Sequence, residues 1–210
     1  EFRRVLFRSE IYKINSTKAL SVARKHFNCE SLDGIPLEND GDTGSAGSHW
    51  EASYMYGDYM LSSINIDAQL SDITLALFDD AYFYQVEYYS GGRFKFGKNK
   101  GCQFLNGPCR NFHNEFCSDL DEHDCTNSRS SKGSCDNINE IDTCPVIISY
   151  NNDQLCHNDG EPEENNGEIF GDNSFCFMSS LAPLNSETAF NYQPVCYKVE
   201  CDNIYKVIII

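Results

Sequence analysis

Residues 44–60 read GSAGSHWEASYMYGDYM, and this stretch decides how the chain is interpreted. A run of small residues, typical of a loop, leads to His49, and Met60 follows eleven residues later. A histidine at the end of a loop is a candidate metal ligand, but a catalytic zinc ion needs three protein ligands. Taken alone, His49 would be an ordinary satisfied histidine and Met60 an ordinary packing residue. The rest of the sequence must therefore supply the partners of a metal site.

The composition limits the classes of protein to which this chain can belong. Its 210 residues are 40% hydrophobic, enough for one large domain or two small ones. The net charge of -16 repels phosphate backbones and anionic lipids, so it argues against binding to nucleic acid or to a membrane surface. No run of eighteen apolar residues occurs. We therefore expect membrane attachment only through anchors outside this chain.

The eleven cysteines predict a disulfide framework. No pair has the two-residue spacing of a zinc ribbon or a thioredoxin-like site, and all but one lie from Cys102 onward. Such usage indicates an oxidising compartment, and hence an extracellular or cell-surface protein. Because the number is odd, either one thiol is free or its partner lies outside this chain. The candidates are Cys29, Cys102, Cys109, Cys117, Cys125, Cys135, Cys144, Cys156, Cys176, Cys196 and Cys201.

Both ends of the chain have an artificial character. Residues 1–9 carry three arginines in an otherwise acidic sequence and begin with Glu-Phe, which a common cloning site encodes. We interpret them as non-native adapter sequence and exclude them from the fold. The final residues 207–210 resemble a strand cut off midway, so we expect a fragment of a longer protein. The sequon that begins at Asn15 makes this residue a candidate for glycosylation.

The first half of the chain has helical periodicity. Ser16 or Thr17 is placed to cap a helix over residues 17–29, after which residues 30–48 are rich in Gly, Asp and Ser and predict a loop. Ser71 is placed to cap a second helix. We expect this second helix to bury Leu70, Ile73, Leu77 and Phe78.

The sequence after the second helix changes character. Residues 82–89 are aromatic and β-branched and predict a strand, and residues 90–100 form a basic connector. Residues 144–150 and 196–210 predict further strands, and residues 158–168 predict a solvated acidic loop. We therefore expect an α+β fold, with a central domain over residues 10–100 and a truncated cysteine-rich domain over residues 101–210. The second domain should be mainly antiparallel β-structure and loops.

Two other metal sites are weaker hypotheses. Residues 40–51 imitate a calcium-binding loop, but Gly44 stands where the fifth position needs a ligand and Ser45 where the sixth needs glycine. His113, His123 and His157 lie among cysteines and acids without matched spacing. Since disulfide-bonded cysteines cannot ligate zinc, these three are better interpreted as surface histidines.

The segment HFNCESLDGIPLENDGDTGSAGSHWEASYMYGDYM, residues 26–60, resembles part of the leishmanolysin-type metallopeptidases. The resemblance continues through LSDITLALFDDAYFYQVEY, GKNKGCQFLNGPC, DTCPVIISY, GDNSFCF and CYKVEC, and covers nearly all of residues 20–210. It departs from the family at residues 52–54, where a basic residue is common, and at residues 57–59, where an acidic pair is common. These departures bear on substrate preference.

The resemblance implies a metzincin fold and a single zinc ion as cofactor. In this family a helix with a His-Glu-x-x-His motif supplies two zinc ligands and the general base, and a later histidine supplies the third ligand. By position, His49 resembles that third ligand, and Met60 the methionine that lies beneath the metal. No His-Glu-x-x-His occurs in this chain, so no catalytic residue is expected within it.

The resemblance implies a zinc endopeptidase that acts on proteins or peptides outside the cell, of which this chain is an inactive part. The rival hypothesis is a non-catalytic extracellular module for adhesion or ligand binding, built on a degenerate protease scaffold. An intact His-Glu-x-x-His upstream of residue 10 would favour the peptidase, and a degenerate one would favour the binding module.

Overall fold

The chain folds into two compact units. The computed structural model describes residues 12–39, 44–63, 65–88, 94–137, 144–149, 155–158, 167–180, 192–201 and 207–209. The first unit comprises Glu1–Ile64, Ala68–Phe112 and Asn139–Cys144, and the second comprises Asn65–Asp67, His113–Ile138 and Pro145–Ile210. Residues 101–112, assigned from the sequence to the cysteine-rich domain, group with the first unit by their contacts. The Cys29–Cys102 disulfide lies within this unit. The expected adapter, residues 1–9, lies outside the described residues.

The predicted first helix is confirmed as α1, Thr17–Phe27, which buries Ala19, Ala23 and Phe27. It ends at Asn28, whose φ of 56° is the left-handed conformation that asparagine tolerates at helix ends. Ser16 occupies the N-cap position, but its side chain makes no capping hydrogen bond. The cap comes instead from Asp80, whose Oδ2 accepts hydrogen bonds from the N–H groups of Lys18 (2.8 Å) and Ala19 (3.0 Å).

The second predicted helix is also present, preceded by the four-residue helix α2, Ala52–Met55. It is α3, Asp72–Asp80, and it packs against α1. Ser71 caps it as predicted, since its Oγ accepts from the Thr74 N–H at 3.1 Å. Of the four residues expected to be buried, Ile73 is buried, Leu70 and Leu77 are only partly buried, and Phe78 is 37% exposed. Phe78 lies in the last turn, where its ring packs edge-on against exposed Tyr84.

The strand expected over residues 82–89 is not observed in its described part, residues 82–88. Tyr82 has a φ of 58°, which a strand does not allow, and Tyr82 and Phe83 are 86% and 85% exposed. Aromatic residues favour strands only where a neighbouring strand and a packed face are present. Among the described residues, no strand pairs with this segment.

The core of the first unit is aromatic. This unit also contains a short antiparallel pair of strands, β1 (Lys13–Ile14) and β2 (Ile35–Pro36). The strand β2 lies within residues 30–48, which were predicted to be a loop. The helix α4, Cys102–Asn106, carries Phe104, which contacts Phe27, Phe96 and Phe112. The largest fully buried side chains of this unit are Trp50, Phe27, Phe96, Ile35, Met55 and Ile73.

The second unit contains two antiparallel three-stranded sheets. The first has the order β3 (His123–Cys125), β4 (Lys132–Asp136) and β5 (Val146–Ser149), and the second the order β6 (Ser174–Ser179), β7 (Gln193–Cys201) and β8 (Val207–Ile209). The strand predicted over residues 144–150 is confirmed as β5. The single strand predicted over residues 196–210 is wrong, since β8 pairs back on β7. Strands rarely exceed about ten residues, so two paired strands suit this length better.

Five disulfides confirm the predicted framework. They are Cys29–Cys102, Cys109–Cys144, Cys117–Cys135, Cys125–Cys176 and Cys156–Cys196. These use ten cysteines, so Cys201 has no cysteine left to pair with inside the 210 residues. In the second unit, Cys125, Cys156, Cys176 and Cys196 form a buried cluster against Phe170 and Met178. Half-cystines thus occupy positions that large aliphatic side chains fill in other cores.

The acidic stretch 158–168 was expected to be solvated, and at Glu168 this is wrong. Residues 159–166 lie outside the described residues, but Glu168 is only 5% exposed. Its carboxylate is paired with the ammonium group of Lys132 on β4 at 2.8 Å. It also accepts a hydrogen bond from the Cys196 N–H at 3.3 Å. A buried carboxylate is tolerated because these groups compensate for its lost hydration.

The mixture of helices and antiparallel sheets confirms the α+β class.

Candidate metal centre

His49 is held in place by main-chain pairing on both sides. Its carbonyl oxygen accepts from the Glu38 N–H at 2.9 Å, and the Gly47 N–H donates back to the Glu38 carbonyl at 2.8 Å. Gly47 has a φ of 76°, a conformation that glycine adopts without steric cost. The run of small residues before His49 is therefore a tight turn that brings the histidine onto a bridged segment. Trp50, the next residue, bridges to Leu37.

The hydrogen bonds of the His49 ring favour one tautomer. Nδ1 lies 3.2 Å from the Ser45 carbonyl oxygen, which can only accept a proton. Ser48 Oγ lies 3.1 Å from the same nitrogen and also donates to the Gly44 carbonyl at 3.0 Å. With the proton on Nδ1, the ring donates to the Ser45 carbonyl, and this tautomer leaves the lone pair on Nε2. Within the described part of the chain, Nε2 makes no hydrogen bond, and the ring is partly exposed.

This arrangement fits a metal ligand. Metal-binding histidines typically donate their other ring N–H to a backbone carbonyl or carboxylate, which fixes the tautomer and the ring orientation. The carbonyl of Ser45 provides such an acceptor for His49. The residues present thus fit the role that the sequence resemblance implied for His49.

Met60 returns to the neighbourhood of His49 through the main chain. The Trp50 N–H donates to the Met60 carbonyl at 2.9 Å, so Met60 lies beside the residue that follows His49. Met60 is only partly buried. The fully buried positions of this turn are taken by Met55 and Leu61, which are 0% and 6% exposed. The role of Met60 in the metal site stays a prediction.

A buried carboxylate, which the sequence reasoning missed, organises the same turn. Asp58 is 1% exposed, and its Oδ1 accepts from the Met60 N–H at 2.7 Å. Its Oδ2 accepts from the Ser71 N–H at 3.1 Å, and the Thr74 hydroxyl lies 2.9 Å from both oxygens. Burial raises the pKa of the Asp58 carboxyl above its ordinary value, although the hydrogen bonds from Ser71, Met60 and Thr74 oppose this. The sequence signal that could have identified Asp58 as a turn-forming residue is its position after a glycine and two residues before Met60.

Trp50 connects this carboxylate to His49. Its indole Nε1 donates to Thr74 Oγ1 at 2.8 Å, and the ring is completely buried. Trp50 therefore points into the core beside α3. Glu51, also buried, accepts from the Ser53 N–H at 3.4 Å and from Asn39 Nδ2 at 3.0 Å. Glu51 therefore serves as the N-cap of α2, so both residues after His49 are anchored.

The other three candidate histidines belong to the second unit, whereas His49 belongs to the first. His113, His123 and His157 are exposed, which confirms them as surface histidines. No group of three or more histidine, cysteine, aspartate or glutamate side chains able to hold a metal ion occurs among the described residues. Of the calcium-like stretch, residues 40–43 lie outside the described part. Asn15 is exposed, as glycosylation requires.

Within the described residues, no helix combines the length and apolar character needed to span a bilayer.

Comparison with known proteins gives a consistent result. A family model described as leishmanolysin matches residues 3–143 and 138–210. A ciliated left-right organizer metallopeptidase from Danio rerio is 32% identical over 207 residues, covering 92% of this chain and 33% of that protein. A leishmanolysin homolog from Crithidia fasciculata is 31% identical over 144 residues, covering 65% of the chain and 22% of that protein. Leishmanolysin from Leishmania major is 25% identical over 219 residues, covering 90% of this chain and 36% of that protein. The chain thus spans between 22% and 36% of the length of these relatives.

Proposed function

Since the chain belongs to the leishmanolysin family, we propose that it forms part of a zinc-dependent metalloendopeptidase and contributes the third zinc ligand, His49. The observation that carries the proposal is the state of the His49 ring. Its Nδ1 lies 3.2 Å from the Ser45 carbonyl oxygen, and the tautomer that donates to this oxygen has its Nε2 lone pair available for a metal ion. Met60, whose carbonyl is bonded to Trp50, is proposed as the methionine beneath the site.

A zinc ion in a site of this kind supplies Lewis-acid polarisation of a peptide carbonyl and activation of a water molecule. The residues of this chain hold the imidazole in its ligating tautomer and fix the turn behind it. The remaining ligands and the general base are expected from a His-Glu-x-x-His helix that is not among these 210 residues. The chain alone should therefore be inactive. The substrates are proposed to be proteins or peptides in an extracellular or cell-surface setting, which the five disulfides support.

The test uses the full-length protein that contains this chain. His49→Ala should abolish both peptide hydrolysis and stoichiometric zinc binding, because a three-ligand site is lost. His113→Ala is the matched control, since His113 is an exposed histidine and should leave both unchanged. Full activity and zinc content in His49→Ala would show that His49 is not a ligand. A zinc-free, inactive wild-type protein would support the rival hypothesis of a non-catalytic binding module.

A further inference from the structure

Asp58 is a carboxylate buried without a counter-ion. It makes no ion pair with any lysine, arginine or histidine of the described residues, and only 1% of it is exposed. The groups around it are the N–H of Met60, the N–H of Ser71 and the hydroxyl of Thr74, and they approach both carboxylate oxygens. Asparagine would turn an NH₂ group toward some of these donors. The site therefore requires a group that accepts at both ends.

The hydrogen bonds around Asp58 form a closed ring that includes the residue after His49. Asp58 accepts from Thr74, Thr74 accepts from the Trp50 indole, the Trp50 N–H donates to the Met60 carbonyl, and the Met60 N–H donates to Asp58. Both the side chain and the main chain of Trp50 are thus tied to the same carboxylate. The two attachments fix the direction in which the peptide unit between His49 and Trp50 presents the imidazole.

We propose that Asp58 is a positioning residue for His49, acting through Thr74, Trp50 and Met60 to hold the imidazole and the methionine turn in register. This inference rests on the proposed function of His49 as a zinc ligand. The network couples three separate segments of the first unit, namely the bridge at Trp50, the turn at residues 58–60 and the first turn of α3. An isolated surface turn would leave the imidazole free to sample several orientations.

The test compares Asp58→Asn with Asp80→Asn in the full-length protein. Asp80 is a matched control, because its carboxylate also accepts two backbone N–H bonds, at 2.8 and 3.0 Å. It lies six residues beyond Thr74, about 9 Å along α3. Asp58→Asn should weaken zinc affinity about 10-fold to 100-fold in a chelator competition, as expected for loss of a supporting group around a metal ligand. Asp80→Asn should leave the affinity unchanged.

A second readout excludes a general loss of stability as the cause. In the zinc-free protein, the ring ¹H and ¹⁵N signals of His49 should shift or broaden in Asp58→Asn and stay as in the wild type in Asp80→Asn. Thr74→Val removes the hydroxyl that links Asp58 to Trp50, so it should also weaken zinc affinity. If Asp58→Asn does not fold, Thr74→Val takes its place in the test.

The outcomes separate the two proposals. If the folded variants keep wild-type zinc affinity and unchanged His49 signals, Asp58 only stabilises the fold and the positioning role is wrong. If His49→Ala itself keeps stoichiometric zinc, the error lies in the proposed function. Weak zinc binding in Asp58→Asn, with normal binding in Asp80→Asn, supports the positioning role.

Discussion

Removal of the Cys29–Cys102 disulfide should strongly destabilise the first unit. This bond joins the end of α1 to the start of α4 across 73 residues of chain. The other four disulfides begin at Cys109 or later, so none of them shortens this loop. The loop-closure entropy of a loop this long corresponds to about 4.4 kcal/mol at 25 °C. Cys29 is 2% exposed, so its truncation also removes packing contacts.

We therefore expect the double variant Cys29→Ala/Cys102→Ala to lower the free energy of unfolding by about 3–5 kcal/mol. The assay is urea unfolding followed by tryptophan fluorescence. Trp50 is the single tryptophan and is fully buried in the first unit, so its emission reports the relevant transition. Cys201→Ala is the control, because it removes no disulfide of this chain. A loss below about 1 kcal/mol in the double variant would refute the loop-entropy reasoning.

Four further predictions concern pH, zinc, disulfide reduction and the number of free thiols. Burial lowers the pKa of His26 below its ordinary value of 6.5, and its ring nitrogen Nε2 lies 2.8 Å from the Phe96 carbonyl. The unfolded chain then binds a proton at His26 more readily than the folded chain, so the free energy of unfolding should fall as the pH drops below about 6.5. The urea midpoint of His26→Gln should depend less on pH than that of the wild type. Equal pH dependence in the two proteins would contradict this. The 210-residue chain alone should bind zinc no better than a surface histidine does, so tight, stoichiometric uptake in calorimetry that His49→Ala abolishes would show that other residues complete a site. Reduction should unfold the second unit before the first, because half-cystines form its buried cluster and each disulfide typically contributes ~2–4 kcal/mol; earlier loss of amide protection in the first unit would oppose this. Thiol counting on the oxidised chain should find one free or mispaired thiol, whereas ten or eleven free thiols would exclude the framework.

The features predicted correctly are those encoded by neighbouring residues. The spacing of Ala23 and Phe27 identifies the buried face of α1, and Ser71 caps α3 through a residue three positions later. The cysteine content indicates a disulfide framework, although spacing alone does not give the pairing. In each case the physical cause acts within one or two helical turns, or in the composition as a whole.

The features missed depend on residues far apart in the sequence. The cap of α1 comes from Asp80, 61 residues from Ala19, and the partner of Glu168 is Lys132, 36 residues away. Residues 82–88 have the composition of a strand but no pairing partner among the described residues, and composition cannot supply one.

The candidate site shows the same division. The family resemblance singles out His49 and Met60, and the local turn places the Ser45 carbonyl within 3.2 Å of the His49 ring. The ring of hydrogen bonds through Asp58 and Thr74 was not predictable, because it closes only when α3 packs behind the turn. A buried aspartate cannot be recognised from sequence when all of its donors are uncharged.

The most direct measurement is the identity of the metal-bound nitrogen in the full-length protein. The zinc ion would be replaced by ¹¹³Cd, and the histidines labelled with ¹⁵N, so that scalar coupling identifies each nitrogen bonded to the metal. We expect a coupling from ¹¹³Cd to Nε2 of His49, with Nδ1 still protonated. A coupling through Nδ1 of His49, or no coupling to His49 at all, would contradict it.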